Sequence, residues 1–489
     1  MSLRRLTHSK IARRLLYMAI IFVVLMVVAR IYNVTTYYFD AWIYENYGDA
    51  VYVNGFHITN FPDTFRGYFF MVLFSGIKLL VMKLGHGDWW AWRMLVSAMV
   101  AVMTVVFLPE LFRDFGERRK TERGYVLSLI GFFLIFLLYW GEFLQHVLSD
   151  VPAMFFFLGG YYFLLRWIRN DFGWKSWVDA FLAGIMLYAA YNTRVTLLFG
   201  VVIALVGICC HLIHTGQARK LSCLLALLAG MLLIAYPQML INHRYSGAYT
   251  PRVRTEAYNS EQTNLQAQQI LWGLEYFHYE TYIGDLEEYR TNLVFFEDAT
   301  GQELLAREGI TEENFGYGDV VHLFVKYPLD MIGIYTRHVL GVMTPFFRQV
   351  YITNAFVPKG WYIVFMMLLW ILAGLLLLLA EPWKKGRGLV LCLLIGAILP
   401  GILQTAGAAE TRFVLMIHVL LYYYLAEVAD YHLLREKMRG RALPIVITCA
   451  VVFFLWLSNI GMMLGANELS TMIIHDGANH TPQTQLEER

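Results

Sequence analysis

LLYMAIIFVVLMVVARIYNVTTYYFDAWIYENYGDAVY, residues 15–52, decides how the whole chain is read. It opens on an apolar run of about 20 residues, the length that crosses the hydrocarbon core of a bilayer. It then passes through a cluster of rings (Tyr37, Tyr38, Phe39, Trp42, Tyr44, Tyr47) that contains one early carboxylate, Asp40. Arg4, Arg5, Lys10, Arg13 and Arg14 precede the run, which is too long for a cleavable leader. The expectation is a signal anchor with a cytoplasmic N-terminus.

Working outward, runs of the same kind recur at 91–112, 125–144, 151–167, 177–190, 194–214, 221–241, 361–380, 389–405, 411–429 and 443–464. With a first span at 15–36 they predict an all-α polytopic membrane protein of about eleven transmembrane helices. Composition agrees. Of 489 residues, 58% are hydrophobic and 16% charged, against about 25% charged in soluble domains. A net charge of +2 implies no bulk polyanion, so no nucleic acid partner. The expected partners include the membrane lipids themselves. The 16% of aromatic residues suits interfacial belts and a substrate groove. Cys209, Cys210, Cys223, Cys392 and Cys449 all fall in apolar stretches, without disulfide or metal-ligand spacing.

Basic clusters set orientation. Those at the N-terminus and at Arg113–Arg123, Arg166–Lys175, Arg219–Lys220, Lys384–Arg387 and Arg435–Arg441 share the cytoplasmic side when 66–84 does not cross. Residues 66–84 (RGYFFMVLFSGIKLLVMKL) are therefore expected to form an interfacial or re-entrant helix from which Lys78 and Lys83 snorkel. The C-terminus falls outside. The resulting division is 1–241 as a transmembrane module with an external loop at 37–90, 242–360 as a long external region of short helices, 361–464 as C-terminal spans, and 465–489 as a polar tail expected to be disordered.

The charged residues at the outward ends of spans carry the chemistry. Asp40 reads either as a helix-start residue beside an aromatic belt or as a general base at a cavity mouth; Glu45 and Asp49 share its segment. Asp150, in HVLSDVPAMFFF, has the features of a helix start, with Pro152 in the first turn. Glu142, His146 and Asp150 are spaced by four and would share a face of a continuous helix, a possible site for a divalent cation. Arg194, in YAAYNTRVTLLFG, reads either as a snorkelling cation or as an anion site suited to phosphate. Glu410 and Arg412, in GAAETRFVLMIHVL, read as a capping pair or as a further guanidinium at that depth. Arg66, Arg252, Arg254 and Arg337 add external cations; Asp63 and Asp88 are less informative. The rings of WGLEYFHYETYIGD (Trp272, Tyr276, His278, Tyr279, Tyr282) either stack on sugars or form a loop core. Ser-His-Asp order, HExxH, a Walker loop and a strand–helix GxGxxG are absent from the sequence.

Four pieces in order, FDAWIYENYGDA, RGYFFMVLFSGIKLLVMKLG followed by DWWAWRMLVSAMVAVMTVVFLPELFRDFG, HVLSDVPAMFFFLGGYYFLLR, and YNTRVTLLFG, resemble the type C (GT-C) glycosyltransferases. The closest likeness is to the branch of protein O-mannosyltransferases and lipid A aminoarabinose transferases. It covers roughly residues 10–240 and is vaguer beyond. It implies a GT-C-like bundle with external juxtamembrane helices, and inverting transfer from a polyprenyl-phosphate sugar to an acceptor glycan, lipid or protein on the outer face of a bacterial plasma membrane. Asp40 matches the family's base and Asp150 its second acid. Arg194 matches the phosphate-holding position, Arg66 sits near the other cationic position, and Arg412 falls in a late motif that is often Arg-Tyr, here Arg412-Phe413. Glu142, His146, Glu410 and Tyr44 fall to the cavity or acceptor. Many relatives carry Asp-Glu where this chain has Asp40-Ala41, and 242–360 has no counterpart. Two other readings use the same cations: a non-enzymatic carrier or flippase of polyprenyl-linked glycans, which needs no base, and a polymerase or ligase of lipid-linked oligosaccharides.

Overall fold

The computed structural model describes residues 10–34, 37, 39–63, 66–87, 89–113, 122–254, 265–282, 292–345, 351–352, 360–381, 388–407, 409–438, 442–465 and 474–475. The basic residues of 1–9, 114–121, 382–387 and 439–441, Asp88, and the tail from 466 on apart from 474–475 lie outside the described residues.

In chain order the elements are α1 (Lys10–Tyr32), α2 (Phe39–Asp49), α3 (Phe69–Lys83), α4 (Trp89–Leu111), α5 (Glu122–Trp140), α6 (Asp150–Arg169), α7 (Trp174–Thr193), α8 (Leu198–His214), α9 (Leu224–Ser246), α10 (Leu265–Glu275), β1 (Tyr276–Tyr282), β2 (Asn292–Glu297), α11 (Ala299–Glu308), α12 (Tyr317–Lys326), α13 (Pro328–Met343), β3 (Tyr351–Ile352), α14 (Gly360–Ala380), α15 (Gly388–Gln404), α16 (Leu415–Tyr423), α17 (Tyr431–Met438), α18 (Ala442–Gly465) and β4 (Ile474–His475). Among the described residues, eight helical stretches are long and apolar enough to cross a membrane: Ile11–Tyr32, Trp89–Leu111, Asp150–Arg169, Val195–His214, Ala218–Ser246, Gly360–Ala380, Thr411–Val428 and Ala442–Gly461. The chain is thus a predominantly helical integral membrane protein. The other expected spans, at 125–144, 177–190 and 389–405, fold as the shorter or more polar helices α5, α7 and α15.

The chain forms two compact units. The first comprises Met1–Gln262, Ala380–Pro400 and Val419–Asp430. In it α4 widens to a π turn at Met103–Phe107, just before Pro109. Proline lacks an N–H and clashes with the carbonyl four residues back, and the wider turn absorbs both effects. Helix α6 begins on Asp150 with Pro152 close behind and ends on Arg166 and Arg169, matching the helix dipole at both ends. The Lys220 ammonium closes its C-terminus, donating to the carbonyls of Ile168 and Asn170, each at 2.6 Å. Helices α7 and α9 touch backbone to backbone. A Cβ on Gly184 would lie 2.0 Å from the Leu227 carbonyl oxygen, and one on Gly230 would lie 2.1 Å from that of Phe181. Small residues permit this approach where lipid supplies no hydrophobic drive between helices.

Helix α3 has 15 residues. Its rise of about 22 Å falls short of the roughly 30 Å hydrocarbon core. Phe70, Met71, Val72, Phe74 and Val81 are nevertheless buried in the first unit. Lys78 is buried with them, which corrects the expectation that it snorkels; Lys83 is exposed.

The second unit comprises Thr263–Leu379, Gly401–His418 and Tyr431–Arg489. Much of the long segment 242–360 lies here and forms strands as well as the expected short helices. β1 and β2 pair antiparallel, with Tyr279 opposite Phe295, and the sheet order is β3-β1-β2-β4. Phe277 and Phe296 from this ladder pack with Ile363 and Met367 of α14 and with Trp456 and Ile460 of α18. Phe277 is therefore fold-forming, and Tyr276 and Tyr279 lie against the Phe295 ring of β2.

Candidate functional site

In the first unit the site begins with the face of α2. Asp40, Ala41, Tyr44 and Gly48 lie along one side of the helix and are all buried. Glu45 and Asp49, one turn apart, form the adjoining stripe, and both carboxylates accept from the Lys78 ammonium at 2.9 Å. Gly48 lies against α3 so closely that a Cβ would sit 2.2 Å from the Met71 carbonyl oxygen. The Tyr52 hydroxyl, beyond α2, donates to the Val72 carbonyl at 2.9 Å. α2 is therefore clamped on α3, and Asp40 in its first turn has a fixed address.

Arg66, just before α3, donates to the Asp40 carboxylate, and both side chains are largely buried. The same guanidinium lies over the Tyr44 ring, 4.6 Å from its centroid. The Tyr44 hydroxyl meets the Ser149 hydroxyl at 2.8 Å, in a contact where either group can donate. Ser149 is the N-cap of α6, and Asp150, the first residue of that helix, is ion-paired to Arg194. A continuous path of contacts thus runs Arg194–Asp150–Ser149–Tyr44–Arg66–Asp40. It holds two carboxylates and two guanidiniums in largely buried surroundings, where charge is tolerated only when paired.

Arg194 owes its place to the end of α7, where it is the C-cap. Two residues earlier, Asn192 is fully buried; its amide oxygen accepts from the Phe69 backbone N–H at 2.8 Å and so caps α3. A Cβ on Gly67 would lie 1.9 Å from the Asn192 carbonyl oxygen, so the chain beside Arg66 rests on the chain beside Arg194. The Asn192 amide nitrogen donates to Gln238 at 2.9 Å, and Gln238 donates to Asn242 at 3.0 Å. Asn242 in turn donates to the carbonyls of Thr250 (2.6 Å) and Arg252 (2.7 Å). Nearby, Arg254 pairs with Asp63 at 3.1 Å.

The helical face expected of Glu142, His146 and Asp150 does not form. α5 ends at Trp140, Phe143–Gln145 make a single 3₁₀ turn, and His146 is extended at φ −92° and ψ 138°. Spacing by four then no longer means a shared face, and with it goes the motive for a cation there. Among the described residues no group of three or more His, Cys, Asp and Glu side chains is arranged to hold a metal ion.

Glu410 and Arg412 belong to the second unit. Arg412 donates through Nε to Glu410 at 2.6 Å, and both are buried. Between them the Thr411 hydroxyl donates to Glu280 on β1 at 3.0 Å, and His278 Nε2 lies 2.7 Å from the same carboxylate oxygen. Arg337, one of the expected external cations, is engaged bidentately by Asp298 at 2.6 and 2.7 Å, while Asp298 also caps α11 through the Gly301 N–H.

The sequence reading missed Lys78 as a clamp, Ser149 as a bridge, and Asn192, Gln238 and Asn242 as a buried amide relay.

No family model, curated protein or solved structure matches the chain.

Proposed function

We propose that the chain is a membrane glycosyltransferase of the GT-C kind, moving a sugar from a polyprenyl-phosphate donor to an acceptor hydroxyl with inversion. The observation that carries this reading is the contact path joining the Asp40–Arg66 and Asp150–Arg194 pairs through Tyr44 and Ser149. Two guanidiniums match a phosphate in charge and in planar hydrogen-bonding geometry. Two carboxylates beside them supply a proton acceptor and an orienting group for the nucleophile.

The acceptor oxygen attacks the anomeric carbon from the side opposite the phosphate. The new C–O bond forms as the bond to the phosphate oxygen breaks, the acceptor proton passes to Asp40, and the electron pair leaves on the polyprenyl phosphate. Phosphate departs as a stable anion, so no general acid is required. Catalysis then consists of positioning and of stabilising charge on the leaving phosphate by Arg194 and Arg66. Each guanidinium is paired to a carboxylate, so donor phosphate exchanges partners with Asp40 and Asp150. That exchange frees a carboxylate oxygen as the donor arrives. In this reading the site faces outward across a bacterial plasma membrane, where flipped polyprenyl carriers are available and nucleotide sugars are not.

The test is lipid mass spectrometry on cells lacking the chain. A polyprenyl-phosphate sugar should accumulate and return to its normal level on complementation with the wild type. An unchanged lipid-linked sugar pool rules the reading out.

A further inference from the structure

Helices α12 and α13 meet at an elbow around Tyr327 in the second unit. Their inner faces are satisfied: Leu323, Met331 and Ile334 are fully buried in a cluster with Leu271, Leu274, Leu304 and Leu305. A surface helix that buries one stripe ordinarily turns polar residues outward. Here the outward side is also apolar. Val321, Phe324 and Val325 on α12 and Leu329 and Ile332 on α13 are exposed, Val325 to 79% and Leu329 to 81%.

The polar groups of α12 are drawn away from that side. Lys326 Nζ donates to Glu308 on α11 at 2.8 Å, the Tyr327 hydroxyl at 2.6 Å, and His322 Nε2 lies 3.0 Å from it. One carboxylate thus gathers Lys326, Tyr327 and His322 on one flank and leaves an aliphatic surface on the other. The far end of α13 is built into the apolar helices of its unit. The indole of Trp370, midway along α14, donates to the Met343 carbonyl at 2.9 Å, and Val342 is buried with Val414 and Ile417. α14 is one of the stretches able to cross a membrane. With 16 residues, α13 is about 24 Å long, so the elbow at its start lies within about that distance of the contact between its far end and α14.

We infer that the α12–α13 elbow is an interfacial anchor that inserts Val321, Phe324, Val325, Leu329 and Ile332 into the headgroup–acyl boundary of a phospholipid leaflet. The stripe's chemistry favours lipid over a second copy of the chain. Protein interfaces are enriched in aromatic residues, Met and Arg, whereas four of these five residues are branched aliphatics. The packing of the far end of α13 on α14 brings the bilayer close to the elbow, as expected of an interfacial helix.

The test places the photoreactive residue p-benzoyl-phenylalanine at Val325, and separately at Leu329, in the full chain reconstituted in phosphatidylethanolamine–phosphatidylglycerol vesicles. Glu303, whose side chain is 70% exposed on α11, is the control. After irradiation, intact-mass measurement should show adducts of one phospholipid at Val325 and Leu329 and at least several-fold fewer at Glu303. A cross-link of two chains from either position, or lipid adducts no more frequent than at Glu303, overturns the inference. Two positions keep the test decisive if one substitution disturbs folding, and neither readout depends on sugar transfer.

Discussion

The hydroxyls of Tyr44 and Ser149 lie 2.8 Å apart although 105 residues separate them in the chain. This contact joins the helix that carries Asp40 to the start of the helix that carries Asp150. Deleting it with Tyr44→Phe keeps the ring beneath the Arg66 guanidinium and removes one hydrogen bond, about 1 kcal/mol. The variant should fold, with a small drop in thermal midpoint. Transfer should fall several-fold through kcat while KM for the donor holds. A wild-type kcat in the folded variant would show that the bridge does not align the two acids.

Lys78 stands between two carboxylates of α2. Lys78→Met removes the ammonium that Glu45 and Asp49 share. The expected loss is about 1–3 kcal/mol, between the surface and buried limits for ion pairs. Thermal unfolding in detergent should show it, and Lys78→Arg should recover most of it. If Lys78→Met is as stable as the wild type, α2 is held by other contacts.

The Glu308 cluster gives a pH signature. Hydrogen bonds from Lys326, Tyr327 and His322 pull the Glu308 carboxyl from its ordinary 4.5 down to about 2. A carboxyl depressed on folding stabilises the folded state fully above its ordinary value and progressively less as pH falls from there through the folded value. Amide exchange of α11 and α12, corrected for intrinsic rate, should therefore be steady above about pH 5 and speed up toward pH 2. Glu308→Gln should flatten that dependence. Equal protection at both ends of the range would contradict it.

Arg194→Ala removes a guanidinium proposed to hold the donor phosphate. A charged hydrogen bond of this kind is worth about 1.5–3 kcal/mol, so the donor Kd should rise roughly 10- to 150-fold. The variant also leaves Asp150 without its partner, so Arg194→Lys is the control for folding. Unchanged donor affinity in a folded Arg194→Ala protein would remove the phosphate role.

The helices were legible because lipid admits few solutions: about 20 apolar residues must hide their backbone in a helix. The exclusion of 66–84 from the spans came from the charge rule, and α3 is too short to cross. Side-chain partnerships were far less legible. A lysine inside an apolar run reads as snorkelling until α2 is folded and presents Glu45 and Asp49 as one stripe. The Glu142–His146–Asp150 spacing misled because it assumed a helix that stops at Trp140. β1 was hidden because YFHYETY has rings on both faces, which masks the alternation of a strand. The relay of Asn192, Gln238 and Asn242 joins residues 46 and then 4 apart, and no local pattern announces it.

Asp40→Asn tests the central claim most directly. It keeps the size of the side chain and an acceptor oxygen for Arg66 but abolishes its capacity to take a proton. The measurement is transfer and donor binding on the same purified preparation, using the polyprenyl-phosphate sugar that accumulates in cells lacking the chain. Transfer should fall about 10²–10⁴-fold, the usual contribution of a general base, while the donor still binds. Transfer at the wild-type rate in Asp40→Asn would contradict the account.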